Sequence, residues 1–191
     1  MKNQIKHFVL AMIIAGSIFT GCKKDEDTVP TPPAPTNEGE VLTTFTLYFT
    51  DSANSANVVS ATFRDPDGDG GNPFTQFDSI HLQANKTYYA QVVILNETAS
   101  PADSISNEIL EEANDHLFFY TVTGANAAVT ITDLDTNTPT PLPLGLQTKW
   151  RTGAVSMGST QIILKHQPGV KDGTFTPGST DIDLTFQTEI Q

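Results

Sequence analysis

The sequence predicts an all-β fold: an immunoglobulin-like antiparallel β-sandwich with one short inserted amphipathic helix. Three observations carry this expectation. Apolar residues recur with a period of two in about nine short segments, Gly, Pro, Asn or Asp bounds each segment, and a single stretch changes to a helical period. A closed barrel satisfies much of the same pattern and stands as the alternative.

The elements follow in order. "VLTTFTLYFT" places Val41, Thr43, Phe45, Leu47 and Phe49 on one side of a strand and mainly Thr and Tyr48 on the other. "DSANSAN" turns the chain into "VVSATFR", and a Gly-rich loop leads to "DSIHLQ". Asn85-Lys86 makes the next turn, into "TYYAQVVILN". Strand patterns return in "HLFFYTVTG", "AVTITDLD", "LQTKWRTG", "TQIILKHQ" and "TDIDLTFQTEI". Between them, "SPADSISNEILEEANDH" has Ser100 as an N-cap, Pro101 at the first helical position and Asp103 at capping-box spacing. Ile105, Ile109, Leu110 and Ala113 then share one side of the expected helix.

Charge excludes one large class of function. The 191-residue chain holds 10 Lys and Arg against 22 Asp and Glu, a formal net charge of −12. Nucleic-acid binding needs a basic footprint, which this composition lacks. Cations and basic partners remain compatible with it, as does an acidic surface that serves solubility alone.

The front of the chain sets an address. "MKNQIKHFVLAMIIAGSIFTGC" has a basic start at Lys2 and Lys6, an apolar core from Phe8 to Phe19, and small residues before Cys22. That is the layout of a secretory signal, too short to span a membrane comfortably. Cys22 is the only cysteine, so no disulfide forms within the chain and no thiol remains for catalysis once it is modified. "FTGC" resembles a bacterial lipobox, which implies that residues 1–21 are a signal peptide and that Cys22 is lipidated, with palmitate-type acyl chains as a stable membrane anchor. "KKDED" after Cys22 resembles the surface-export signal of Bacteroidetes lipoproteins. Residues 22–40 form a linker whose Pro30, Pro32, Pro33 and Pro35 favour extended geometry. Residues 41–191 form the sandwich domain. The expected location is the outer membrane, lipid-anchored and facing the cell surface, with a periplasmic-facing orientation as the alternative.

Two loops have the composition of cation sites. "RDPDGDGGNPF" offers Asp65, Asp67 and Asp69 with glycines that let the backbone curl, which suits the six to eight hard oxygens calcium requires. It resembles the start of an EF-hand or thrombospondin-type loop, but Gln76 stands where an EF-hand has its bidentate Glu, and no helices flank it. Asp78 lies close enough in sequence to assist. "TDLDTNTPTPLPLG" repeats the rhythm with Asp133, Asp135 and Asn137. If both loops lie at one end of the sandwich, they could share ions or form one rim. A transition-metal set is also conceivable: Glu112 and His116 at i, i+4 on the helix, completed by His166.

Enzyme signatures are missing, with no G-x-S-x-G, no H-E-x-x-H and no phosphate-binding Gly loop, so a non-enzyme is expected. Triplets "DSA", "DSI", "DSI" and "DTV" resemble Bacteroidetes O-glycosylation acceptors at Ser52, Ser79, Ser104 and Thr28. A sugar platform would need exposed aromatics, and Trp150, the only Trp, is expected in the core.

Taken together, "FTGCKKDE", "EGEVLTTFTLYFT", "FRDPDGDGG", "LNETASPADSISNEILEEANDHLFFY" and "HQPGVKDG" resemble a family of small, uncharacterised Bacteroidetes surface lipoproteins. The resemblance implies a lipoprotein sandwich and carries no catalytic residue with it. The functional expectation is a surface-anchored, non-enzymatic binding or accessory module, cation-binding and associated with an outer-membrane uptake receptor. A structural or adhesive lipoprotein with calcium-stiffened loops is the alternative, and a hydrolase on an unusual scaffold is the second.

Overall fold

The structure, a computed structural model, describes residues 41–68 and 71–191. The expected signal peptide, Cys22, the expected linker and Asp69 lie outside the described residues. Among the described residues, ten strands and one helix run in the order β1 (Thr44–Asp51), β2 (Val58–Arg64), β3 (Gln76–Phe77), β4 (Ile80–Leu82), β5 (Thr87–Leu95), α1 (Ile105–Glu111), β6 (His116–Thr123), β7 (Ala127–Ile131), β8 (Gln147–Thr152), β9 (Ser156–His166) and β10 (Ser179–Ile190). They make a β-sandwich. One sheet has six strands in the order β3-β2-β1-β5-β8-β7, and the other has four in the order β4-β10-β9-β6.

The predicted alternation explains the core. In β1, Phe45, Leu47 and Phe49 are buried, and their partners Phe63, Ala61 and Val59 on β2 share that face. Tyr88, Ala90, Val92 and Ile94 do the same on β5. The sheets meet through ring contacts: Phe45 to Phe186 at 6.0 Å between centroids, and Tyr120 to Trp150 at 6.3 Å. Trp150 is wholly buried, and its indole N–H donates to Thr148 Oγ1 at 2.8 Å, so burial leaves no orphan donor. Each fully buried large side chain contributes about 1.5–3 kcal/mol.

Two expectations need correction. The four-stranded sheet is mixed, because β4 pairs in parallel with the end of β10 (Thr188↔Ile80, Ile190↔Leu82), while all other pairs are antiparallel. The helix is also shorter and later than predicted. Its N-cap is Ser104, without a side-chain cap bond, and Ser100-Pro101 is a cis peptide upstream of it. Asp103 instead forms a β-bridge with Asn96, which draws residues 96–103 into a small loop that delays the helix. Ile105, Ile109 and Ala113 are buried as expected, whereas Leu110 faces water at 58% exposure.

Strand direction gathers the long loops. Thr44 at the start of β1 faces Arg64 and Leu95 at the ends of β2 and β5. In the second sheet His166, at the end of β9, faces both His116 at the start of β6 and Ser179 at the start of β10. Asn114 Oδ1 accepts the Thr136 N–H at 3.0 Å, and Lys171 Nζ donates to the Ala113 carbonyl at 2.8 Å, which joins the two sets. The loops after β2, β5, β7 and β9 therefore share one end of the sandwich. Both Asp-rich sequences lie on it.

Candidate functional site

The loop end holds a cavity of about 600 Å³ between the sheets. Four carboxylates line it, Asp65, Asp67, Asp181 and Asp183, above an apolar floor that includes Phe63 and Ile182. No Lys, Arg or His is among its lining residues.

One wall is the turn after β2. The Asp65 N–H donates to the Thr43 carbonyl at 2.7 Å, and the Gly68 N–H returns to the Asp65 carbonyl at 3.1 Å. Gly68 takes φ +76°, a left-handed conformation that glycine adopts without a Cβ penalty. Asp67 Oδ2 accepts from the Asn72 N–H at 2.8 Å and from Asn72 Nδ2 at 2.7 Å. A Cβ on Gly71 would collide with that carboxylate, so a larger residue there would have to move the Asp67 side chain. The backbone N–H of Asn72 first, then its side-chain amide, holds Asp67 below the usual carboxylate range, and it is charged at neutral pH.

The other wall is the start of β10. Lys165 pairs with Thr180 and Leu164 with Ile182, so the register skips Asp181, which is the extra residue of a bulge. The bulge places Asp181 beside Asp183 along the cavity. Among the described residues, β4 covers β10 only at Thr188–Ile190, leaving the segment from Ser179 to Gln187 with β9 as its one strand partner. Several carboxylates around one space repel one another and attract a cation or a cationic group.

Asp78 belongs elsewhere. Its Oδ2 accepts the Thr62 N–H at 3.0 Å and Gln76 Nε2 at 2.8 Å, which fastens β3 to β2.

The second Asp-rich loop is closed. Asp135 and Lys171 form an ion pair at 2.9 Å, with both side chains almost wholly buried. Asp135 Oδ1 accepts the N–H groups of Leu142 at 2.8 Å and Asn137 at 3.1 Å, and Oδ2 accepts Asn137 Nδ2 at 3.0 Å. Burial alone would raise the Asp135 pKa, but the lysine and these donors outweigh it and keep the carboxyl low. Asp133 is likewise occupied, accepting the Gly145 N–H at 2.9 Å and the Gln147 N–H at 3.1 Å. A calcium ion here would have to displace an ammonium and several backbone donors. Asp133, Asp135 and Asn137 act as a fastener for residues 133–147.

Glu112, His116 and His166 do come together, with one ligand atom from each within 4.8 Å of the others. The route differs from the expected helical i, i+4 pair. α1 ends at Glu111, Glu112 is its C-cap, and His116 opens β6 directly opposite His166 on β9. The two imidazoles stack at 4.6 Å and 6°. Lone pairs of parallel rings point in parallel directions, so a shared ion requires one ring to turn. His116 Nδ1 lies 3.1 Å from the Glu112 carbonyl. Desolvation depresses the pKa of His116, with smaller opposing contributions from the Glu112 carbonyl, Asp181 and Glu112. The neutral ring is the form the fold prefers.

No family model, curated protein or solved structure matches this chain. The site must therefore be read from its own residues. The sequence analysis did not single out Asp181 and Asp183, yet the signal was present. "TDIDLTF" alternates acid and apolar residues, so a strand there carries two carboxylates two positions apart.

Proposed function

We propose that this protein is a lipid-anchored, non-enzymatic binding module of the outer membrane whose cavity at the loop end takes a cation or a cationic group. The observation that carries the reading is the convergence of Asp65, Asp67, Asp181 and Asp183 on one 600 Å³ space with no basic residue in its lining. The anchor at Cys22 and the Pro-rich linker supply the address, and their resemblance to Bacteroidetes surface lipoproteins supports cell-surface display beside an uptake receptor.

The test is a thermal melt of the chain beginning after Cys22, in EDTA, with calcium, with zinc, and with spermidine as an organic cation. A ligand that binds only the folded state raises stability by mass action, about 2.7 kcal/mol at a hundred times its Kd. A rise with calcium or spermidine that disappears in Asp67→Ala/Asp181→Asn supports the reading, and which of the two acts decides between metal and amine. A melt indifferent to every cation overturns it. The structural or adhesive alternative predicts calcium stabilisation without recovery of any receptor when the anchored protein is captured from solubilised outer membranes. Zinc acting alone would transfer the site to Glu112, His116 and His166, the reading favoured by their 4.8 Å approach.

A further inference from the structure

A different surface of the molecule has the chemistry of a ligand face. The outward side of the six-stranded sheet can be read row by row from its registers. One row runs Ser60, Tyr48, Gln91, Gln147, the next runs Val58, Thr50, Tyr89, Lys149, Thr130, and a third runs Thr87, Arg151, Ala128. Tyr48 and Tyr89 are 43% and 52% exposed. They sit on adjacent strands as diagonal neighbours, since Tyr48 pairs with Gln91 and Tyr89 with Thr50, within reach of one another for rings of that size.

The charge of these rows inverts that of the chain. In a protein with 22 acidic and 10 basic residues, they carry Lys149 and Arg151 and no carboxylate. Lys149 Nζ lies 5.8 Å from the centre of the Tyr89 ring, a cation–π contact that steadies the ammonium beside the aromatic surface. Around these groups stand Gln91, Gln147, Ser60, Thr50 and Thr130, amides and hydroxyls that both donate and accept. A patch with exposed aromatic faces, dense neutral hydrogen-bonding groups and only positive charge is complementary to one ligand class. A pyranose ring offers a C–H face to stack on tyrosine and hydroxyls to meet the amides, and a carboxylated sugar adds an anion for Lys149 and Arg151.

We propose that the outward face of the six-stranded sheet is a platform for an acidic polysaccharide, with Tyr48 and Tyr89 stacking on sugar rings and Lys149 and Arg151 pairing with ring carboxylates. The remainder of the protein is negative, but at physiological salt the screening length is about 8 Å, so the nearest charges dominate what a bound sugar feels. This assignment does not depend on the cation-binding cavity, which lies at the loop end and not on this face.

The test uses the full chain in detergent micelles, with EDTA present so that no divalent ion bridges protein and polysaccharide. Binding to immobilised polygalacturonate is measured beside neutral dextran. The expected result is binding to polygalacturonate that is at least tenfold tighter than to dextran. Tyr48→Thr/Tyr89→Thr keeps strand propensity and lowers that binding at least tenfold. Lys149→Gln/Arg151→Gln does the same and also removes its salt dependence. Thermal melts check that each variant is folded, and the exposed charge pair provides a second test should the tyrosine pair unfold the sheet. Equal binding to dextran, no binding to polygalacturonate, or full binding by either folded variant overturns the proposal. So does sedimentation showing that a second copy of the chain covers Tyr48 and Tyr89.

Discussion

Two loops of similar composition meet opposite fates at the same end of this sandwich. Asp133, Asp135 and Asn137 are folded inward, with Asp135 sealed against Lys171 at 2.9 Å. Asp65 and Asp67 line a cavity together with Asp181 and Asp183, and no Lys or Arg is among the described residues that line it. The spacing of carboxylates is nearly the same in the two stretches, so spacing does not decide the outcome. What decides it is whether the fold delivers a counter-charge. Lys171 arrives from the loop between β9 and β10, whereas no Lys or Arg is among the described residues that line the cavity of the first loop.

The largest effect should come from breaking the closed loop. Lys171→Met leaves a buried carboxylate without its partner and should cost about 3–5 kcal/mol, measured by denaturant unfolding. Pairing it with Asp135→Leu should recover most of that loss, because the stranded charge is then gone. A Lys171→Met protein of unchanged stability would show that the pair does not hold the loop shut. Next in size is the response of the open loop, a calcium or amine stabilisation of about 2.7 kcal/mol at a hundred times Kd, read from the melts described above.

A smaller effect separates another closed carboxylate from the open ones. Glu97 is held by the Arg64 guanidinium first and by Thr44 Oγ1 at 2.5 Å, and its pKa falls from 4.5 to about 2. Because the folded value is the lower one, its contribution is complete above about pH 4.5 and is lost as pH falls towards 2. Both partners are partly exposed, so Glu97→Gln should cost about 1–2 kcal/mol at pH 7 and flatten acid unfolding in that window. The smallest expected effect sharpens the contrast most. In EDTA, Asp67→Ala should leave the denaturant midpoint unchanged, as expected of an exposed turn residue. A large loss there would make the first loop a second fastener, and the distinction between the loops would collapse.

Much of the fold was legible in the residues. Alternation in "FTLYF" and "YYAQVVIL" marks the two central strands of the larger sheet, and Trp150 is core as its strand pattern implies. The turn at Asn85-Lys86 is visible from its sequence, and Asn85 does take a left-handed φ of 56°. Other features depend on partners far along the chain. The Asp135–Lys171 pair joins residues 36 positions apart, and the parallel match of Ile80 with Thr188 crosses more than a hundred. Local pattern has no access to either. The helix start was displaced because Ser100, Pro101 and Asp103 satisfy the capping rules as a string, while the Asn96–Asp103 bridge commits that segment to a loop. Helical spacing was the reason for pairing Glu112 with His116, but α1 ends at Glu111, and it is the pairing of β6 with β9 that sets His116 opposite His166.

The place of β10 has a further consequence. It is the last strand in sequence and an inner strand in space, flanked by β9 and β4, with Phe186 and Ile190 wholly buried. The Gln191 N–H donates to the Leu82 carbonyl at 2.9 Å, and its own carbonyl accepts from Ala84 at 2.7 Å. A growing or emerging chain that has not yet delivered this strand leaves β9 unpaired on one side and the inner surface of the larger sheet uncovered. Closing this strand into the sheet makes contacts of long sequence separation, such as Ile80 with Thr188, which are slow to form.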